Sequence, residues 1–165
     1  MPSDILQVDL ENLNFSDLAE SPAIVPADLA QLDGLARAYF AAYPADTAAE
    51  SMDDAQLEIQ QTFAGEFGSL LPSASFMVIQ AGRAVGGIFV VERSIWDQEL
   101  DGPFVIDLFL MPEYRGRGIG KALVRESMRA CQQGGSQHLS LRIGEGTSDS
   151  AMNIYQQLGF SALED

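Results

Sequence analysis

Between Met111 and Leu123 the chain reads Met-Pro-Glu-Tyr-Arg-Gly-Arg-Gly-Ile-Gly-Lys-Ala-Leu, with glycine at 116, 118 and 120 and a base at 115, 117 and 121. A strand pattern gives way to a helix pattern here. Glycine removes the Cβ that would hold a ligand off the backbone, and the first amides of a helix have no partner within it. Such a turn offers several N–H groups to an anion, and the ligand it implies is a phosphate group. Two familiar phosphate motifs fail. A Walker loop needs Gly where Arg115 stands and Ser or Thr where Ala122 stands. A GxGxxG fingerprint from Gly116 needs Gly at 121, which is Lys121. What remains is Arg-x-x-Gly-x-Gly, carried by Arg115, Gly118 and Gly120.

The elements around this turn follow from periodicity. Leu29, Leu32, Leu35, Ala36, Tyr39 and Phe40 recur at helical spacing and predict a helix over 27–43, stopped by Pro44. A second helix over 53–67 is predicted to pack Leu57, Ile59, Phe63 and Phe67. Residues 5–10 alternate as a first strand. Phe76 to Gln80, the turn Ala81-Gly82-Arg83, and Ala84 to Val91 give a hairpin, and a third strand runs 104–111. Then come a helix over 117–133, a strand over 138–143, a helix over 149–158 and a short strand from Phe160. Strand 104–111, helix 117–133 and strand 138–143 should form a right-handed parallel crossover. The expected fold is α/β (α+β), a mixed, mostly antiparallel central sheet flanked by helices, in one domain over 1–165.

The Arg115–Gly120 turn resembles the pyrophosphate loop of the GNAT superfamily of acyl-coenzyme A dependent N-acyltransferases, whose pattern is Gln/Arg-x-x-Gly-x-Gly/Ala. A second stretch, Ala151-Met-Asn-Ile-Tyr-Gln-Gln-Leu-Gly-Phe160, is similar to the family's Ala-x-x-Leu-Tyr-x-x-x-Gly-Phe. The resemblance covers 76–160; before that only the order of elements matches. It implies acetyl-CoA as acyl donor and no metal. The backbone of Phe109 and Leu110, with Met111, would bind the pantetheine arm. The amides of Gly116, Arg117, Gly118, Ile119, Gly120 and Lys121, with the Arg115 side chain, would hold the pyrophosphate. Tyr155 would act as general acid for the departing thiolate. Where the family often has Asn seven residues before that tyrosine, this chain has Ser148, a departure carried here as a cofactor-binding candidate.

Transfer to an amine also needs a group to take the amine's proton, since a free primary amine is protonated at neutral pH. The candidates are Glu92, at the end of the hairpin, and Asp107, a lone carboxylate in the apolar run Val105–Phe109. Asp107 is the preferred base of the two, though equally a buried acid held by a neighbour, and Tyr155 is read as the acid ahead of its alternative, a packing aromatic. His138 reads as a strand-start residue and Cys131 as a small core residue, while Trp96 is either a plug or a lip of the acceptor pocket.

Charge narrows the partners. The chain has 165 residues, 9 Lys plus Arg against 24 Asp plus Glu, and a net charge of −15, which argues against nucleic acid. Five of the nine bases fall between Arg115 and Arg129, a local island for an anion. Arg129 lies about 18 Å along the helix from Arg117, so Arg115, Arg117 and Lys121 carry the phosphate role and Arg125 and Arg129 face solvent. The resemblance implies that the first two helices and the loop before the third strand shape the acceptor site. The first 66 residues hold thirteen acids and one base, and Asp97, Glu99 and Asp101 sit in that loop, which fits either a cationic acceptor (a polyamine, an amino sugar or a basic peptide) or a general acidity that serves solubility. One cysteine and no signal-like or membrane-length apolar run suggest a cytoplasmic protein. With five residues after Phe160, the last strand is expected to be short or absent, so that either a homodimer partner completes the sheet edge or the edge stays open. The competing functional class is a non-catalytic acyl-CoA sensor or interaction module on the same fold.

Overall fold

The computed structural model describes residues 2–16, 23–43, 49–144 and 147–164. Seven strands form one sheet: β1 (Pro2–Asp9), β2 (Ile24–Pro26), β3 (Phe76–Gln80), β4 (Arg83–Val91), β5 (Phe104–Leu110), β6 (His138–Arg142) and β7 (Ser161–Glu164), in the order β2-β3-β4-β5-β6-β1-β7. The helices are α1 (Leu32–Ala42), α2 (Met52–Ala64), α3 (Ile119–Gln133) and α4 (Asp149–Gln157). The mixed α/β class is as expected. All strand pairs are antiparallel except β5–β6, the parallel pair joined through α3.

Local chemistry explains the ends of these elements. The β3–β4 turn places Ala81 and Gly82 at φ 53 and 80, the pair of left-handed residues that a tight hairpin requires. Ser51 caps α2 by accepting from the Asp54 N–H at 3.1 Å, with Asp53 and Asp54 in the first turn to meet the helix dipole. Strand β2 gave no periodic signal because it is three residues long. Its Pro26 is tolerated because β2 is an edge strand, paired only with β3. The first helix begins later than its pattern suggests, since Leu29–Gln31 form a 3-10 turn capped by Asp28. That helix ends at Ala42, and Pro44, read as its stop, lies outside the described residues.

The sheet carries a core on each face. On one side α3 and α4 cover Val85, Ile88, Val105, Leu139 and Leu141 with Leu123, Met128 and Tyr155. On the other, α1 and α2 cover Met77, Ala84, Phe89 and Phe109 with Leu35, Tyr39 and Ile59. The buried stripe of α2 is Ala55, Ile59 and Thr62. Leu57, expected in the core, is 51% exposed because the stripe runs one residue off the predicted register. The last strand, expected to be short or absent, is short: four residues that pair antiparallel with β1 and form the edge of the sheet. Among the described residues no helix is long and apolar enough to cross a membrane.

Helix α1 docks on β4 through Gly34, where an added Cβ would stand 2.9 Å from the Ala84 backbone N and O. Neither backbone atom can yield without moving the strand. Gly34→Ala is therefore expected to destabilise the protein by about 1–3 kcal/mol, a drop of several degrees in Tm by thermal melt.

Candidate active site

Parallel pairing between β5 and β6 is confined to Phe104–Ser140 and Val105–Leu141. Beyond those pairs the strands part, and a cleft of about 1010 Å³ opens, lined by residues 105–110 of β5 and by Leu141 and Arg142 of β6. The β4–β5 register pairs Phe89 with Asp107 and Val90 with Val105, which leaves Ile106 as a bulge residue at the apex of the parting. Phe109 and Leu110 line the cleft, whereas Met111 does not and instead donates its N–H to the Val85 carbonyl at 2.9 Å.

At the mouth lies the glycine turn. Gly116 and Gly118 sit at φ 79 and 80, and an added Cβ at either would meet no protein atom within 4 Å. The left-handed backbone explains why both are glycine, and the space above them is open. Gly118 is the N-cap of α3, and among the described residues no side chain caps the leading amides of that helix. At Gly120 the need is packing, since a Cβ would stand 3.0 Å from Ile154 Cδ1 on α4. Arg115, Gly116, Gly118, Ile119, Gly120 and Lys121 all line the cleft. Arg115 donates to the Ala42 carbonyl at the end of α1 at 2.7 Å. Arg117 differs from expectation: its side chain lies over the Tyr114 ring, 5.5 Å from the centroid, and lines a separate cavity of about 190 Å³. Arg125 and Arg129 stay out of the cleft, Arg129 pairing with Glu126 at 2.7 Å.

The inner end holds the titratable groups. Tyr155, on α4, is buried with its ring edge-on to Phe160 at 5.6 Å, and burial together with the Asp107 charge pushes its hydroxyl up to about 12, so it stays protonated at neutral pH. Burial and the nearby Glu58 charge push Asp107 up to about 7, partly offset by the Tyr43 hydroxyl, 3.4 Å from Asp107 Oδ1. That hydroxyl is also 3.4 Å from the Leu108 carbonyl. Glu58 is raised by burial, with a hydrogen bond from Tyr39 acting the other way. Ser148 lines the cleft while its Oγ accepts from the Ala151 N–H at 3.1 Å, capping α4.

Not every expected residue arrives here. Glu92 is exposed beyond β4 and donates its N–H to Ser69, because antiparallel pairing of Val91 with Phe104 carries that end of β4 away from the parting strands. Trp96 stacks on Phe67 at 6.4 Å outside the cleft. Asp97 is buried against Arg142, and neither Glu99 nor Asp101 lines the cleft. His138 Nε2 contacts the Asp101 carbonyl at 2.9 Å, and Cys131 is buried in the core. Sequence reasoning missed Tyr43, Tyr39 and Glu58 as cleft residues. A signal existed for Glu58, which lies three residues after Ala55 and four before Thr62 and so shares the sheet-facing stripe of α2. Among the described residues no group of three or more His, Cys, Asp or Glu could hold a metal ion.

Fold and site together define a class: an α/β protein that opens its sheet at a parallel strand pair and seats an anion turn at the mouth of the opening. The pattern of the Acetyltransferase (GNAT) family matches residues 32–160, and the chain belongs to that family. Streptothricin acetyltransferase of Streptomyces lavendulae is 29% identical over 97 residues, which are 59% of this chain and 49% of that protein. The chain spans about half the length of the curated relatives it matches. Among solved structures, PH1933 from Pyrococcus horikoshii OT3 superposes with a TM-score of 0.70 at 20% identity, covering 86% of this chain and 90% of that one. AAC(6')-Iy in complex with the bisubstrate analogue CoA-S-monomethyl-acetylneamine superposes with a TM-score of 0.62 at 19% identity, covering 86% and 92%.

The raised Asp107 has a consequence for stability. Its folded value of about 7 lies above the unfolded value of 3.8, so the native state holds a proton that the unfolded chain has lost, and stability falls as pH rises from 4 to 7. Asp107→Asn removes this fall. Thermal melts are expected to show the variant more stable than the parent at pH 8, by on the order of 4 kcal/mol, and equal to it near pH 3.

Proposed function

We propose that this protein transfers an acetyl group from acetyl-CoA to a primary amine that enters the cleft as a cation, by direct attack while both substrates are bound. The observation that carries this reading is the parting of β5 and β6, with uncapped amides and bases at its mouth and Tyr155 and Asp107 at its inner end. Membership of the family supports acetyl-CoA as the donor.

In this reading the amides from Gly116 to Lys121, with Lys121 and Arg115, hold the pyrophosphate, and Arg115 exchanges the Ala42 carbonyl for a phosphate oxygen. The β5 edge at Phe109 and Leu110 lines the pantetheine arm. Acetyl-CoA supplies the acyl group as a thioester and departs as a thiol. The amine nitrogen loses two protons on becoming an amide. Ionised Asp107 takes the first and passes it to solvent, which leaves the lone pair free to attack the carbonyl. Tyr155 gives its hydroxyl proton to the sulfur as the C–S bond breaks and regains a proton from the nitrogen. Asp107 and Glu58 make this end of the cleft negative, which supports an acceptor that arrives as an ammonium ion. The acidic loop residues Asp97, Glu99 and Asp101 lie elsewhere and contribute nothing to that argument.

Binding is tested by calorimetry with acetyl-CoA, desulfo-CoA, ATP and NADH. Both CoA compounds should bind, and Gly118→Glu, which puts a side chain with negative charge over the anion turn, should weaken them at least tenfold, or roughly 1.4 kcal/mol. CoA binding without thiol release across an amine panel would favour the sensor instead. Turnover by the parent should rise with pH through about 7, as Asp107 ionises. Asp107→Asn should lose that limb, and Tyr155→Phe should lower kcat by about 10²–10³ with CoA affinity kept.

A further inference from the structure

We propose that Glu58 is a specificity-determining residue that binds a second cationic group of the acceptor, so that the preferred acceptor is a diamine or polyamine rather than a monoamine. The inference rests on the acetyl transfer proposed above, in which Asp107 serves the reacting nitrogen.

Two carboxylates reach the inner cleft from different elements, Asp107 from β5 and Glu58 from α2. No ion pair among the described residues involves either one, and their negative charges repel. Each is met by a tyrosine hydroxyl of the α1 segment, Tyr43 for Asp107 and Tyr39 for Glu58. The cations that share the cleft are committed elsewhere: Arg115 and Lys121 lie at the glycine turn and Arg142 is tied to buried Asp97. A pair of half-buried like charges without a counter-ion raises the free energy of the empty cleft, and a ligand with two positive charges relieves it.

A second observation is independent of the carboxylates. Tyr39 packs edge-on against Tyr43 at 5.2 Å and against Phe109 at 5.6 Å, an aromatic corner that lines the same end of the cleft. Aromatic faces beside carboxylates form the environment that holds alkylammonium groups. The chemistry also needs two anions. Once the reacting nitrogen has given up its proton it carries no charge for Asp107 to hold, whereas a second ammonium group set against Glu58 keeps the acceptor in place while the bond forms.

The test compares kcat/KM for putrescine and n-butylamine, which differ by one ammonium group, in the parent and in Glu58→Gln. The parent should prefer putrescine by roughly tenfold, mainly through KM, and in Glu58→Gln the ratio should fall to about one. Glu58→Asp, which keeps the charge, should retain a preference. The groups that face Asp107 are Glu58, Tyr39, Tyr43 and Tyr155, and loss of the Glu58 charge should move the acid limb of the pH profile to lower pH. An equal loss for both amines in Glu58→Gln, or no putrescine preference in the parent, overturns the inference and leaves acetyl transfer standing. Absence of turnover with every amine, in a protein that binds CoA, overturns both.

Discussion

The separation of β5 from β6 is the constraint on which the rest of the site depends. Two parallel pairs hold the strands at one end, and beyond Val105 and Leu141 no strand among the described residues pairs with β5 on that side. Unpaired strand groups in a protein interior are costly unless water or a ligand meets them, so a sheet opened in this way is a sheet prepared for an extended partner. The Ile106 bulge marks where the parting starts and changes which face the following residues take. Because of that shift, Phe109 packs with α1 and α2 while Leu108 and Leu110 face α3 and α4.

The two ends of the cleft have opposite electrostatic character, and each has its own source. The mouth gains positive character from backbone amides and from Arg115 and Lys121, in a chain whose net charge is −15. Local geometry outweighs total charge there, since donors at a helix terminus act over a few ångströms while distant acids are screened by solvent. The inner end is negative through Glu58 and Asp107 and is rimmed by tyrosines that stay protonated. One cavity thus joins a positive wall at the glycine turn to a negative one at Glu58 and Asp107.

Much of the fold was legible because its signals are local. The hairpin announced itself through alternation on either side of Ala81-Gly82, α2 through the Ser51 cap and acidic first turn, and the crossover through the order strand, helix, strand. What escaped was short or one residue off. Strand β2 is too brief to show a period, and Leu57 looked like a core residue until the stripe Ala55, Ile59 and Thr62 turned it to solvent. Glu92 stayed a candidate beside the preferred Asp107 because a strand pattern does not say which end of the strand meets the opening.

The sequence by itself determined the anion turn, since glycine at 116 and 118 and an uncapped helix start are properties of a few adjacent residues. It also determined the place of Tyr155 on the helix that follows the crossover. Only the tertiary structure decided which side chains share the inner cleft. Glu58, Tyr43 and Asp107 lie far apart in the chain and meet because α1 docks on β4 through Gly34 and because a single bulge sets the facing of β5. A one-residue change in register reverses the face of a strand, so these meetings depend on packing that no local pattern records.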